Sequence, residues 1–335
     1  GAYTEVDNSN ANSGLPQFNN RFIVFGQRLS GGSVAAGVLT QVAGSDQADA
    51  TIIVDCPGGG CSGTLIGRLP NVAEWCREKN VRAISPSYPG FGRSTVHPGW
   101  TIANWPRTDL EPILKKEKVT GPFVVTGVSF GSPHAQAVAV HFGPDRVKAL
   151  GMRVPYIGRS VSEEEGLPLG QADMRFTSES ANTTLFGHIA GKAFMAMCSN
   201  PAGFLDEPSG IKRIFIKSLQ PNMLAVLTKM NQEYPNEMKC VKEEMERGVI
   251  STGQGWLYMG ATDTLLDHGF DVRQIKDTPL VVWYADDDED CPPSHGVWLV
   301  EKFKAKSRVF SGLGHIGAAF LDHTKFLEEV LDAAS

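Results

Sequence analysis

The sequence predicts an α/β fold, a mostly parallel central sheet flanked by helices, with a helical segment inserted into it. Three observations predict this. Short β-branched or apolar runs, such as 51–55 (TIIVD), 122–126 (PFVVT) and 279–285 (PLVVWYA), alternate with helical patterns from residue 51 onward. Strands that alternate with helices pair in parallel, because each return to the same edge needs a crossover long enough to hold a helix. Between roughly 157 and 270 the alternation stops, and helical patterns near 211–230 and 236–247 are joined by Gly/Pro-rich turns.

In chain order, the first two strands, near 21–25 (RFIVF) and 38–43 (VLTQVA), follow each other without a helix and predict an antiparallel edge. Further strands are expected near 82–85, 147–152 and 307–311, and helices near 66–79, 107–117, 130–142, 294–304 and 317–333. Residues 1–156 and 271–335 therefore read as the core, and 157–270 as a helical lid. Eight of the nine methionines fall in that insertion: Met174, Met195, Met197, Met223, Met230, Met238, Met245 and Met259. The softness of methionine fits two roles, filling irregular helix contacts or forming an adaptable apolar wall. Under the second role Met195, Met197 and Met223 are candidates for substrate binding.

Composition narrows the function classes. At 335 residues, with 41% hydrophobic and 20% charged residues, the chain can bury a full core. A net charge of −6 argues against nucleic acid or an anionic membrane surface as partner, since both select clustered Lys and Arg. No apolar run approaches the roughly 18 residues that span a bilayer. The polar opening GAYTEVDNSNANSG has no signal-peptide core, so a cytoplasmic location is the expectation, and the oligomeric state is left open. Six cysteines in a chain of this length do not make a disulfide scaffold. Cys56 and Cys61 have zinc-compatible spacing, but no second pair lies near them, so no metal site is expected. A Cys198–Cys240 pair is left open.

The chemistry centres on Gly127-Val128-Ser129-Phe130-Gly131, a G-x-S-x-G pentapeptide with a strand before it and a helix after it. Such a turn pushes a serine Oγ out over the sheet edge, and small flanking residues let the neighbouring backbone come close. A serine hydroxyl needs a base, and the base needs an orienting group. Of eight histidines, His315 stands out, bracketed by glycines just after the last expected strand. The run Asp286-Asp287-Asp288-Glu289-Asp290 ends the strand before it, and most of those carboxylates are expected to be solvated. The order Ser, Asp, His is the one expected when these loops share the carboxyl edge of one sheet.

Together these segments identify the chain as similar to the α/β-hydrolase fold superfamily, over its whole length except the insertion. SYPGFGRS (87–94) resembles the loop after that family's fourth strand, and GVSFGSPHAQAVAVHFGPDRVKAL (127–150) its elbow, helix and next strand. YADDDEDCPPSHG (284–296) resembles the acid loop, usually Gly-x-x-Asp-x-x-Val-Pro, and GLGHIGAAF (312–320) the histidine loop. The resemblance implies Ser129 as nucleophile, His315 as base and Asp288 as acid. Because Ala285 and Cys291 replace the usual Gly and Val, Asp287 stays open as the alternative acid. It implies a serine hydrolase acting on a carboxylic ester or related acyl bond of a small-molecule substrate, with no cofactor. Acyl transfer, C–C bond hydrolysis, peptide cleavage, lyase chemistry and a non-catalytic receptor use the same fold.

After its third strand the family usually carries His-Gly, whereas this chain reads IIVDCPGGGCSG. Pro57 has no N–H to give. The oxyanion donors are therefore expected to be Phe130 together with Gly58 or Gly59. The same glycines match G-x-G-x-x-G, but a dinucleotide site needs an acid roughly 20 residues on. The next strand ends AISPSYP, without one.

Overall fold

A computed structural model describes residues 5–6, 19–29, 32–63, 69–92, 94, 100–169, 222–248 and 268–335. Nine strands form one sheet: β1 (Glu5–Val6), β2 (Asn19–Leu29), β3 (Gly32–Gly44), β4 (Thr51–Cys56), β5 (Val81–Pro86), β6 (Phe123–Val128), β7 (Val147–Arg153), β8 (Leu280–Ala285) and β9 (Lys306–Phe310). Their spatial order is β1-β2-β3-β5-β4-β6-β7-β8-β9. Strands β1, β2 and β3 pair antiparallel, β3 pairs antiparallel with β5, and the remaining six run parallel. The expected antiparallel edge on a parallel sheet is therefore present.

The central strands β4, β6 and β8 form where β-branched residues are concentrated, and β6 is buried along its whole length. Helices α1 (Val72–Glu78), α2 (Glu111–Lys116), α3 (Gly131–Arg146), α4 (Arg159–Glu164), α5 (Met223–Glu233), α6 (Pro235–Gly248), α7 (Pro293–Phe303), α8 (Gly314–Phe320) and α9 (His323–Ala334) are described. One apolar cluster joins the sheet to Trp75 of α1, Phe326 of α9, Val226 of α5 and Met238 of α6. A second joins it to Ile113 of α2, Val138 of α3 and Leu299 of α7.

Two expected helices differ in detail. The segment near 107–117 opens as a π-helical turn, Pro106–Leu110, before α2. The helix expected over 317–333 is two helices, α8 and α9, parted at Leu321 and Asp322, with Asp322 left-handed at φ 54°. The break has a physical cause in Arg153, which is wholly buried at the end of β7. Its guanidinium donates to the Ala318 carbonyl (2.8 Å) and to the Leu321 carbonyl, taking acceptors at the end of α8. Within the insertion α5 and α6 fall where helices are expected, though α5 runs on to Glu233, and 170–221 and 249–267 lie outside the described residues.

Strand β4 neighbours β5 on one side and β6 on the other, so the chain leaves this point in opposite directions. Open α/β sheets bind ligands at such a switch point, beyond the carboxyl ends of the strands. Buried Asp55 stitches the three strands there, its oxygens accepting from the hydroxyls of Thr126 (2.9 Å) on β6 and Ser85 (3.0 Å) on β5. Burial pushes the Asp55 carboxyl up to about 6, against the pull of those two hydrogen bonds.

The turn after β6 leaves no room for side chains beside it. A Cβ on Gly131 would stand 2.0 Å from the Cys56 carbonyl oxygen, and one on Gly127 would stand 2.5 Å from that of Gly131. We expect Gly131→Ala to destabilise the fold by at least the ~1–3 kcal/mol of overpacking. Gly121→Ala, whose Cβ meets nothing within 4 Å, should stay within about 0.5 kcal/mol of the parent. Urea unfolding midpoints compare the two, and equal midpoints would contradict the steric account.

Candidate active site

The elbow is strained in the way its sequence demands. Ser129 sits at φ 51°, a left-handed conformation that costs an L-residue free energy and persists only when its surroundings enforce it. Enforcement comes from both ends: the Ser129 N–H donates to the Arg153 carbonyl at 2.9 Å, and the Ser129 carbonyl accepts from the Ser132 N–H at 2.7 Å. The glycines at 127 and 131 let Cys56 and Ala135 close in around it.

His315 lies in the first turn of α8 rather than in a loop. Its Nε2 is 3.0 Å from Ser129 Oγ, and its Nδ1 is 2.9 and 3.1 Å from the two Asp288 oxygens. An ionised carboxylate only accepts, so Nδ1 carries the proton and Nε2 keeps the lone pair that faces the serine hydroxyl. Asp288 is itself held by the N–H groups of Asp290 (2.8 Å) and Cys291 (2.9 Å), both on Oδ1. The alternative acid, Asp287, is turned elsewhere: its Oδ1 accepts from the Gly314 N–H at 3.1 Å. Asp286 is exposed, yet it accepts from the Ser311 hydroxyl at 2.6 Å and so ties the acid loop to the turn after β9.

Burial works against a charge on His315, but the Asp288 carboxylate and the neighbouring Cys291 together outweigh it and hold the imidazole well above its ordinary range. Cys291 lies within hydrogen-bonding reach of the same ring, and burial pushes its thiol up to about 12, so it stays neutral at ordinary pH.

Two of the expected oxyanion donors, Phe130 and Gly58, lie beside the serine. Phe130 caps α3, and Gly58 packs against the elbow, where its Cβ would be 3.4 Å from the Val128 carbonyl and 4.0 Å from Ser129 Cβ. Gly59 beside it is half-buried. Among the described residues none of these three N–H groups donates to a backbone carbonyl in a turn or cap.

Several supporting groups carry no sequence motif. His134, one turn into α3, donates from Nδ1 to the Phe130 carbonyl at 2.9 Å, and burial pulls it down to about 3, so it stays neutral. Tyr88 meets the Phe130 ring edge-on at 5.2 Å between centroids. Glu244 of α6, fully buried, accepts from both the N–H and the hydroxyl of Ser62 at 2.7 Å, fastening the insertion to the glycine loop. Of the methionines, Met230 and Met238 are core residues and Met223 is half-buried at the start of α5, packed on the same core. Met195 and Met197 lie outside the described residues, as does Cys198.

The model of the alpha/beta hydrolase family matches residues 47–330. The chain belongs to that family. No curated protein sequence matches this alpha/beta hydrolase significantly. Among solved structures, an esterase, RhEst1, from Rhodococcus sp. ECU1013 superposes with a TM-score of 0.62 at 19% identity, over 94% of this chain and 98% of its own. A bromoperoxidase from Bacillus anthracis gives 0.60 at 16% identity, over 93% and 99%. A thermophilic esterase from Thermogutta terrifontis gives 0.53 at 18% identity, over 93% and 98%. At these identities the likeness establishes the fold. Among the described residues, no helix of this alpha/beta hydrolase is long and apolar enough to cross a membrane.

The hydrogen-bond assignment predicts the titration of His315. Followed by NMR, its imidazole should titrate above the ordinary 6.5. In Asp288→Asn the carboxylate no longer opposes burial, and the value should fall from that of the parent, because desolvation disfavours the imidazolium. Asp287→Asn should leave it raised. The reverse pattern would make Asp287 the partner.

Proposed function

We propose that this alpha/beta hydrolase is a serine hydrolase that cleaves a carboxylic ester or related acyl bond of a small, apolar substrate. One observation carries the reading: a continuous hydrogen-bonded chain from Ser129 Oγ through His315 to Asp288, with the serine on a strained turn. A capping serine needs neither the strain nor a histidine held by a buried carboxylate.

The chemistry follows from the tautomer. Ser129 Oγ attacks the acyl carbon while its proton passes to His315 Nε2, and Asp288 stabilises the imidazolium so formed. The oxyanion is received by the N–H of Phe130 and that of Gly58 or Gly59, donors aimed at charge that develops only in the transition state. His315 then returns the proton to the leaving alcohol. Water, activated by the same Nε2, hydrolyses the acyl-enzyme and frees the serine. Every group these steps need belongs to the chain, so no cofactor enters them.

In this proposal 157–270 acts as a lid. What supports it is the way α5 meets the histidine turn: a Cβ on Gly314 would lie 3.1 Å from Val226, and Lys229 donates to the Gly312 carbonyl at 3.3 Å. Met223 opens the same helix.

Two experiments test the proposal. A fluorophosphonate should label the protein stoichiometrically on Ser129, and Ser129→Ala should lose both labelling and ester turnover with little change in stability. Asp288→Asn should lower kcat by about 10⁴, the scale on which a mis-set tautomer acts. Failure of the parent protein to label or to turn over any ester sinks the proposal. Across esters of graded chain length, each CH₂ buried under the lid should strengthen binding by roughly 0.8 kcal/mol until the pocket is full. Met223→Ala should weaken long esters more than acetates, and a flat profile would make the methionine ordinary packing.

A further inference from the structure

One side chain beside the site has no part in the proposed reaction. Cys291 replaces the valine usual at its place in the acid loop, and its thiol is buried against His315. Asp288 and Cys291 are brought together by a tight turn, in which the Cys291 N–H donates to Asp288 Oδ1 at 2.9 Å. His315 reaches the same point from the other loop, its Nδ1 2.9 Å from Asp288 Oδ2. One carboxylate oxygen, one thiol sulfur and one ring nitrogen thus lie within 4.8 Å of one another, all three residues buried. Among the described residues no other such group of three or more His, Cys, Asp or Glu is found.

We propose that Asp288, Cys291 and His315 bind a thiophilic divalent cation of the zinc type, and that its binding switches off Ser129. The donor set is carboxylate oxygen, thiolate sulfur and imidazole nitrogen, the three kinds that zinc takes from proteins, with one position left for water. Zinc bonds of about 2.0–2.3 Å at tetrahedral angles set sulfur about 3.5 Å from nitrogen or oxygen and nitrogen about 3.3 Å from oxygen, so the widest pair closes by at most about 1.3 Å and the Nδ1–Oδ2 pair opens by about 0.4 Å. The mixed donors and the thiolate select zinc, cadmium or cobalt over magnesium and calcium, which prefer all-oxygen shells.

The proton count explains the switching. In the neutral form that serves as base, Nδ1 carries the imidazole proton and Nε2 offers its lone pair to Ser129. The cation takes Nδ1, and the neutral ring then carries its one proton on Nε2. Cys291 loses its thiol proton to solvent, so one proton leaves for each cation bound by the neutral ring, and two where the ring starts charged. With Nε2 protonated, the serine has no base, and the Asp288 oxygen that oriented the ring is now bound to metal. The inhibitory half rests on the serine-hydrolase reading, whereas the binding half rests on the three donors alone.

Cobalt(II) titration of the whole chain separates the two. The parent protein should develop a thiolate-to-cobalt charge-transfer band in the near-ultraviolet with one equivalent of metal, displaced by zinc. Ser129→Ala, inactive but with all three donors, should develop the same band. Cys291→Val should lose it. Where the parent turns over ester, zinc should inhibit it reversibly, with EDTA restoring each protein to its own zinc-free rate. Cys291→Val should then need at least the ~10–100-fold more zinc that loss of even an outer partner costs a metal site. A parent protein without the band, or a Cys291→Val that keeps it, overturns the site. A band without inhibition of a working esterase overturns the switch. Absence of any turnover counts against the proposed function and leaves the band to decide the site.

Discussion

A single left-handed residue at the end of β6 sets the terms for everything around it. Ser129 holds φ 51° only because the Arg153 carbonyl takes its N–H and two glycines let the β4 end and the first turn of α3 press against it. Arg153 carries a second duty. Its side chain, wholly buried and without a carboxylate partner among the described hydrogen bonds and ion pairs, reaches the far end of α8 and holds the carbonyls of Ala318 and of Leu321 just beyond it. One residue therefore touches the turn that presents the serine with its backbone and the helix that presents the histidine with its side chain. The spacing of 3.0 Å between Ser129 and His315 is inherited from that shared support.

The insertion is joined to the same neighbourhood at several points. Glu289 of the acid loop accepts from the Asn222 N–H at 3.2 Å, just before α5. Val226 packs on Gly314, Lys229 reaches Gly312, and Glu244 of α6 grips Ser62 beyond the glycine turn. These contacts fall on three loops that the sheet sends to its carboxyl edge, so movement of α5 and α6 would be felt by the acid, histidine and glycine loops together.

Much of the candidate site is legible in the sequence because its chemistry is local. The pentapeptide around Ser129 announces its own geometry: a glycine two residues either side is what a left-handed serine against packed backbone requires. His315 was findable for the same reason, bracketed by small residues at the end of a strand. Asp288 was harder, since five consecutive acids offer no pattern, and only the hydrogen bonds of the folded loop part it from Asp287. Arg153, His134 and Glu244 were not findable. Each acts through a contact distant in sequence or through a backbone carbonyl, and a lone Arg, His or Glu in a strand or helix resembles any other. The division between α8 and α9 was missed because a periodic apolar pattern runs across it, while the break is made by an arginine 165 residues away in sequence from Ala318.

Asp55 gives the molecule a conflict between endurance and speed. Its carboxyl keeps a proton up to about 6 in the fold but ordinarily loses it near 3.8. The fold thus binds that proton more tightly than the unfolded chain does, and this share of its stability is complete only in acid, draining away as pH climbs from 3.8 through 6. The proposed base works in the opposite sense, since His315 accepts the serine proton only when neutral, on the alkaline side of a raised value. Acid conditions preserve the centre of the sheet and idle the histidine. Alkaline conditions free the histidine and charge a carboxylate buried between three strands. At these two groups the pH preferences run in opposite directions.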